Sequence, residues 1–170
     1  MSKAGAVLGS ALFFVIAPGT VGFFVPWWIA GWQIGAPLLG NNLFPAAGVV
    51  LVLLGLGPLI ESFARFALLG LGTPAPIAPT QHLVVSGFYR YVRNPMYVGV
   101  LLIILGNALI PGNVAVFAYA ALIALAFAGF VIAYEEPTLR RQFGAEYEEF
   151  CRNVPRWIPR LTPWTRARRE

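Results

Sequence analysis

Three charged residues stand at the ends of a long uncharged segment. Residues 94–134 contain no Asp, Glu, Lys or Arg, with Arg93 directly before them and Glu135 and Glu136 directly after them. In membrane proteins such residues face the protein interior or water, and they often mark a functional site. A carboxylate accepts a proton or binds a cation, whereas an arginine binds a carboxylate with paired hydrogen bonds. We therefore take Arg93, Glu135 and Glu136 as the candidate catalytic residues.

A purely structural explanation is open for each of these residues. The two glutamates would mark the end of a membrane span, although acids are unfavourable at the negative C-terminal end of a helix. Arg93 would extend its guanidinium towards lipid phosphates. Glu61 and Arg65 are four residues apart, and this spacing predicts an ion pair on one helix face.

Metal and covalent chemistry find little support in the composition. His82 is the only histidine and Cys151 the only cysteine. A lone histidine without supporting cysteine or aspartate does not form a metal constellation, so the sequence predicts no metal site. Cys151 has no activating partner near it in sequence, which favours a small apolar role over a nucleophile.

The elements that position these residues are apolar helices. The chain of 170 residues is 58% hydrophobic and 11% charged, whereas a soluble domain has about 25% charged residues. A span needs about 20 helical residues, and the third candidate is short. We predict an all-α polytopic membrane protein of one domain, residues 1–170, with spans at residues 4–25, 43–63, 97–110 and 114–133.

Prolines and periodicity refine this prediction. Pro18-Gly19 predicts a kink in the first span, and Pro95 should occupy the first turn of the third. Apolar residues then recur on one helical face, which predicts an amphipathic helix at the membrane interface over residues 137–151. Pro155, Pro159 and Pro163 then break the chain, and we expect the Arg-rich end after them to be frayed. The residues of the apolar face are Leu139, Phe143, Tyr147 and Phe150.

The positive charges predict the orientation. With four spans, all 12 basic residues share the side that holds both termini and the central loop. The loops on the other side, residues 26–42 and 111–113, have none. The positive-inside rule therefore places both termini in the cytoplasm, with the chain in the inner or plasma membrane if it is prokaryotic. The net charge of +5 is then explained by anionic lipid, and no nucleic-acid partner is expected.

Two motifs resemble a known family. Residues 83–99 read LVVSGFYRYVRNPMYVG, which resembles the pattern L-V-x-x-G-x-Y-x-x-x-R-[HN]-P-x-Y-x-G. Residues 135–147 read EEPTLRRQFGAEY, which resembles E-E-x-x-L-x-x-x-F-G-x-x-Y. Both resemble the isoprenylcysteine carboxyl methyltransferase family, which is similar to the phospholipid N-methyltransferases. The resemblance extends over residues 45–160.

This resemblance implies an integral membrane methyltransferase that uses S-adenosylmethionine. It implies a cytoplasm-facing cofactor pocket built from the central loop, the ends of the last two spans and the C-terminal segment. The acceptor would be a lipophilic molecule that enters from the bilayer. By motif position, the residues implied to contact the cofactor are Gln81, His82, Leu83, Val84, Tyr89, Asn94, Pro95, Met96, Tyr97 and Glu135.

Two departures from the family pattern bear on the acceptor. Asn94 stands where many members have histidine, and Val131 stands where the isoprenylcysteine enzymes place a substrate-binding arginine. An apolar side chain cannot hold a carboxylate by charge, so carboxyl, amine and thiol acceptors stay open, as does replacement of that arginine by Arg93.

Two other functions stay open. Membrane sterol- or enone-type reductases that use NADPH are similar around the first motif, and the arginines between Arg152 and Arg169 would then bind the 2′-phosphate. A non-catalytic scaffold or small-solute carrier would bind neither cofactor.

Overall fold

The computed structural model describes residues 12–68 and 83–165, and this part of the chain is helical without any strand. α1, α2 and α4 are long and apolar enough to cross a membrane, whereas α3 is a shorter apolar helix. The predicted all-α polytopic fold is therefore confirmed. The helices are α1 (Leu12–Ile29), α2 (Leu43–Leu68), α3 (Pro95–Leu109), α4 (Val114–Phe143) and α5 (Ala145–Asn153), with short 3₁₀ turns at Leu38–Gly40 and Gly87–Arg90.

The helix starts match the predicted spans more closely than the helix ends do. α2 begins at Leu43 as expected but continues to Leu68, and α3 begins with Pro95 in its first turn. α1 runs to Ile29 rather than Val25, and residues 1–11 lie outside the described part. Hydrophobicity marks where a span enters the membrane, whereas the helical hydrogen bonds continue into the polar region beyond it.

α1 is helical through Pro18-Gly19, where the sequence predicts a kink, and a π-helical turn follows at Thr20–Phe24. Pro26 has no N–H to donate to the carbonyl groups of the preceding turn, and lipid offers no replacement donor. The Asn107 side-chain amide donates to the Gly22 carbonyl at 2.8 Å, and the Tyr119 hydroxyl donates to the preceding carbonyl at 3.1 Å. These bonds satisfy the exposed carbonyl groups and fasten α1 to α3 and α4.

Small residues bring α2 and α3 into backbone contact. A Cβ added at Gly55 would lie 2.5 Å from the carbonyl oxygen of Gly99, and one added at Gly106 would lie 2.5 Å from that of Gly48. Membrane helices use small residues in this way because close approach increases van der Waals contact. This close backbone contact fixes α3 against α2 and so positions the residues at the N-terminal end of α3.

The single helix expected over residues 137–151 is not what forms. α4 continues past its predicted end through a π-helical turn at Val131–Glu135 and stops at Phe143. Gly144 then takes a positive φ of 49°, a conformation that favours glycine, and α5 begins after it.

The predicted apolar face does form, and it packs against other parts of the protein. Tyr147, Phe150 and Val154 are buried and pack with Leu83 and Trp164, which come from the central loop and the C-terminal segment.

The Arg-rich end that the sequence predicts to be frayed lies largely in residues 166–170, outside the described part of the chain. The segment after Pro155 is described as far as residue 165. Three backbone hydrogen bonds, each of 2.9 Å, join it to the segment before α3: Arg93 N to Pro155 O, Arg160 N to Tyr91 O, and Trp164 N to Arg90 O. This pairing is long-range, so proline content and charge gave no sign of it. Residues 166–170 lie outside the described part.

Candidate functional site

Two adjacent glutamates at the end of the π-helical turn face different surroundings. Successive residues of a helix point about 100° apart, since one turn holds 3.6 residues. Glu135 therefore faces the N-terminal end of α3, whereas Glu136 faces the segment before α3 and the C-terminal segment.

Glu136 is buried, with 4% of its side chain exposed, and is surrounded by arginines. Its Oε1 accepts from Arg93 Nη1 at 3.0 Å and from Arg156 Nε at 2.6 Å. Its Oε2 accepts from Arg156 Nη2 at 3.0 Å and from Arg140 Nη2 at 3.4 Å. The two bonds from Arg156 form a bidentate pair, the strongest common arrangement of these groups. We call Glu136 with Arg93, Arg140 and Arg156 the arginine cluster.

The arginine cluster ties three parts of the chain together. Arg93 precedes α3, Glu136 belongs to α4, and Arg156 belongs to the C-terminal segment. The Asn94 side-chain amide also donates to the Arg156 carbonyl at 3.1 Å. The hydrogen bond from the Arg156 guanidinium to Glu136 raises the pKa of Arg156, so this arginine stays charged. Sequence reasoning missed Arg156; its place between Pro155 and Trp157 was the signal available.

Glu135 has a different partner. The Tyr97 hydroxyl donates to its Oε2 at 2.8 Å. The Tyr97 ring packs against Phe127 of α4, with centroids 4.7 Å apart, and against Trp157 at 6.5 Å. The phenol ring is thus held by apolar neighbours, while its hydroxyl reaches the carboxylate.

A polar cavity of about 90 Å³ lies beside Glu135. Burial raises the pKa of Tyr89 in its wall, and the Glu135 charge raises it further, so this phenol stays protonated at neutral pH. Arg93 Nε is buried and has no hydrogen-bond partner among the described residues. The lining residues are Leu83, Val84, Tyr89, Arg93, Asn94, Glu135, Leu139, Tyr147 and Phe150.

An apolar cavity of about 200 Å³ lies on the other side of Tyr97, between α1, α2, α3 and α4. Its walls are almost entirely hydrocarbon, and Tyr97 is its single titratable lining residue. The lining residues are Phe13, Ala17, Pro18, Val21, Leu59, Phe63, Met96, Tyr97, Val100 and Phe127.

The predicted cofactor residues are partly brought together. Five line the polar cavity: Leu83, Val84, Tyr89, Asn94 and Glu135. Met96 and Tyr97 line the apolar cavity, whereas Pro95 faces a third cavity on the outer surface of α2 and α3. Gln81 and His82 lie outside the described residues. The catalytic roles of Arg93, Glu135 and Glu136 stay predictions.

The ion pair predicted from the spacing of Glu61 and Arg65 is confirmed. Glu61 Oε2 also accepts from the Phe88 backbone N–H at 3.4 Å. A Cβ at Gly87, which has a φ of 58°, would collide with both members of the pair. The pair therefore supports the 3₁₀ turn that leads into α3, rather than reaching the cavities.

Cys151 lies against the arginine cluster, since Arg93 Nη1 donates to its sulfur at 2.9 Å. Among the residues that the structure describes, no three His, Cys, Asp or Glu side chains are grouped closely enough to hold a metal ion. The chemistry available here is that of a carboxylate, two half-buried phenols and a partly bonded guanidinium.

Comparison with known proteins gives a family match. The sequence model of the phospholipid methyltransferase family matches residues 43–146, which is more than half of the chain. Both motifs and both cavities draw most of their residues from this range. No solved structure matches the chain significantly.

Three curated relatives share parts of the sequence. The chain is 38% identical over 77 residues to protein-S-isoprenylcysteine O-methyltransferase of Schizosaccharomyces pombe, covering 45% of the chain and 33% of that protein. It is 35% identical over 128 residues to cobalt-zinc-cadmium resistance protein CzcN of Cupriavidus metallidurans, covering 74% and 57%. It is 35% identical over 78 residues to protein-S-isoprenylcysteine O-methyltransferase B of Arabidopsis thaliana, covering 45% and 39%. The matches thus span 33% to 57% of the length of these relatives.

Proposed function

The chain belongs to the phospholipid methyltransferase family, and we propose that it is a membrane enzyme that transfers a methyl group from S-adenosylmethionine to a lipophilic acceptor. The observation that carries this proposal is the contact between Tyr97 and Glu135. The Tyr97 ring lines the apolar cavity, and its hydroxyl bonds to a carboxylate that lines the polar cavity. A reaction between a polar cofactor and an apolar substrate requires such a meeting point.

The polar cavity suits the cofactor. S-adenosylmethionine supplies an electrophilic methyl group on a sulfonium when it is bound. Glu135 offers a carboxylate to a cationic or hydroxyl group, and the unpaired Arg93 Nε offers a buried donor to an anionic group. The phenol rings of Tyr89 and Tyr97 present ring faces, which attract cations. Gln81 and His82, which the family resemblance implies as further cofactor contacts, directly precede Leu83 in the sequence and lie outside the described residues.

The apolar cavity suits the tail of the acceptor. Its wall of Phe, Leu, Val and Met side chains gains free energy from burying a hydrocarbon chain, at about 25 cal/mol per Å² of surface. Excluding water there and aligning the acceptor supply most of the rate acceleration. The chain's own contribution to proton transfer is Glu135, which stands beside the meeting point and accepts a proton from an amine or thiol.

The acceptor group is a neutral, amine or thiol group rather than a carboxylate in this proposal. Val131, which replaces the family arginine, is 1% exposed and apolar. Arg93 does not replace it in this proposal, since its Nη1 is bonded to Glu136 and Cys151 and its free Nε is assigned to an anionic group of the cofactor. A carboxylate at the meeting point would face Glu135 without a free cation opposite to it, and like charges repel at short range.

The two alternatives find less support. Arg156 is bonded through two nitrogens to the Glu136 carboxylate, so it is engaged away from any 2′-phosphate of NADPH. A scaffold or carrier gives no reason for a carboxylate and a phenol to meet between two cavities.

We also propose that the charged end of the bundle, where both motifs lie, faces the cytoplasm with both termini. The positive-inside rule supports this orientation. Single cysteines placed in residues 31–41 and in residues 160–165 of a cysteine-free variant should label from opposite sides of sealed vesicles. Labelling of both from one side would contradict the four-span topology.

The decisive experiment is titration calorimetry of the purified full chain with S-adenosylhomocysteine, with NADPH as the competing ligand. We expect saturable binding of S-adenosylhomocysteine and none of NADPH. Labelled methyl transfer is then measured to lipid amines, alkyl thiols and a farnesylcysteine analogue. NADPH binding would favour the reductase, and binding of neither ligand would favour the scaffold or carrier.

A further inference from the structure

One wall of the apolar cavity belongs to α1. Four of the ten residues that line this cavity come from that helix, at spacings that place them on one helix face. The phospholipid methyltransferase match begins at residue 43, so it does not extend to this wall. The four residues are Phe13, Ala17, Pro18 and Val21.

The cavity runs along α1 from the end near Tyr97 to a deep end at Val21. The Phe13 ring stacks on Phe63, with centroids 6.1 Å apart, and these two rings lie at the end near Tyr97. Val21 lies eight residues after Phe13, which is about 12 Å further along α1 at about 1.5 Å of rise per residue. The α1 wall therefore follows the whole length of an apolar tail bound in the cavity.

Beyond Val21 and Val100 the cavity ends, because α1 and α3 touch there. A Cβ added at Gly22 would lie 3.2 Å from Ile103 Cγ2, and Ile103 is fully buried. Neither Gly22 nor Ile103 lines the cavity, so a tail has no space between them. We call this contact between Gly22 and Ile103 the cavity floor.

Hydrogen bonds hold the cavity floor in place. The Tyr119 hydroxyl donates to the Val21 carbonyl at 3.1 Å, and the Asn107 amide donates to the Gly22 carbonyl at 2.8 Å. Asn107 Oδ1 in turn accepts from Trp27 Nε1 at 3.0 Å, so both ends of this buried amide are bonded. Both carbonyl groups belong to the π-helical turn of α1, a feature that frequently occurs at functional sites. Hydrocarbon offers no water to compete for them, so the bonds persist.

The size of the cavity favours a short tail. Its volume is about 200 Å³. A group the size of a water molecule or a methylene occupies about 30 Å³, so the cavity takes roughly seven such groups. An alkyl tail near octyl in length fits this space, whereas a hexadecyl chain or the two acyl chains of a phospholipid exceed it.

We propose that α1 selects the acceptor by the length of its apolar tail. Val21 and the cavity floor set the limit, and the acceptor class is a single-chain lipophile with a tail near octyl in length. Asn107 and Tyr119 are positioning residues, since they act on the tail only through the backbone of α1. This inference rests on the proposed methyl transfer, because it concerns the cavity that takes the acceptor.

The test compares n-alkyl thiols and n-alkyl amines, each from hexyl to hexadecyl. Labelled methyl transfer from S-adenosylmethionine is measured together with the rise that each compound causes in the thermal unfolding midpoint of the full chain. For the unaltered chain we expect both to peak near octyl.

Three variants locate the limit in α1. Val21→Ala deepens the cavity and should raise turnover of the dodecyl compound relative to the octyl compound several-fold. Ala17→Leu fills the wall and should move the optimum to hexyl. Val15→Ala is the matched control, because Val15 is on the same helix, lines no part of the cavity and is 66% exposed. It should leave the length preference unchanged.

Tyr119→Phe tests the hold on the cavity floor. It keeps the ring and removes only the hydroxyl that donates to the Val21 carbonyl. We expect a broader length preference with unchanged affinity for S-adenosylhomocysteine. A purely structural role would instead lower the turnover of every chain length by the same factor, and that result would remove Tyr119 from the proposal.

The outcomes separate this inference from the proposed function. Absence of methyl transfer to every compound, with midpoints that still peak near octyl, would refute the methyl transfer and support the length limit. Equal turnover and equal midpoints along the series would overturn the length limit alone. A shift in Val15→Ala as large as that in Val21→Ala would remove α1 as its source. If Val21→Ala fails to fold, an optimum that Ala17→Leu leaves at octyl would overturn the proposal.

Discussion

Glu135 and Glu136 are neighbours in sequence, yet they belong to two different environments. Glu136 is bound by arginines from three parts of the chain, and each of its oxygens has cationic donors. Glu135 has one protein donor, Tyr97, and lines a cavity. A carboxylate saturated by the protein's own cations has little capacity left for a ligand. The comparison therefore favours a structural role for Glu136, and it is consistent with the ligand-binding role that we propose for Glu135.

The two environments are mechanically related. The arginine cluster holds the C-terminal segment against the residues before α3, and the same segment places Trp157 beside Tyr97. The ion pairs of Glu136 thus help to hold Tyr97, the hydrogen-bond partner of Glu135, in place. This division also explains why two carboxylates occur at one helix turn, where a lone boundary marker would need only one.

The largest effect should come from Glu136→Gln. Removing one partner of a buried ion pair costs about 3–5 kcal/mol, because the other charges stay buried without compensation. Arg93 would be the most affected, since only 10% of its side chain is exposed. We expect a clear fall in the midpoint of thermal unfolding and faster proteolysis within residues 154–165.

Glu148→Gln is the matched control for this variant. Glu148 pairs with Arg140 at 2.8 Å, but 49% of its side chain is exposed. Exposed pairs contribute about 0–1 kcal/mol, so this variant should unfold close to the unaltered chain. If Glu136→Gln instead unfolds normally but no longer binds S-adenosylhomocysteine, the division between the two glutamates is wrong.

Glu135→Ala should give the second largest effect, on binding rather than on stability. Losing a charge-assisted hydrogen bond costs about 1.5–3 kcal/mol, which corresponds to roughly a 10- to 150-fold weaker affinity for S-adenosylmethionine. Titration calorimetry measures this, with the thermal unfolding midpoint as the check that the variant is folded. Unchanged affinity in a folded variant would return Glu135 to the role of a membrane-boundary marker.

Much of this division could not be read from the sequence. The helices, the pairing of Glu61 with Arg65 and the family motifs follow from local patterns, because hydrophobic periodicity and i,i+4 spacing act over a few residues. Arg93 and Arg156, two of the three arginines that bind Glu136, lie 43 and 20 residues away, and no local rule connects them to it. The break at Gly144 was likewise hidden, since an isolated glycine is tolerated within many helices.

The smallest effect should come from Tyr97→Phe, which tests the meeting point itself. The substitution keeps the ring that lines the apolar cavity and removes only the hydroxyl that donates to Glu135 Oε2. A neutral donor to a charged acceptor contributes about 1.5–3 kcal/mol in general, but here the carboxylate can regain a water molecule from the polar cavity, so we expect about 1 kcal/mol. Affinity for S-adenosylhomocysteine should fall roughly fivefold.

The matched control is Tyr91→Phe, which removes the hydroxyl of a phenol that lines the cavity on the outer surface of α2 and α3, and it should leave that affinity unchanged. A loss of lipid-acceptor turnover much larger than the loss of cofactor affinity would show that the hydroxyl also aligns the acceptor. Equal losses would confine it to holding Glu135, and the boundary between the two cavities would then be set by the ring alone.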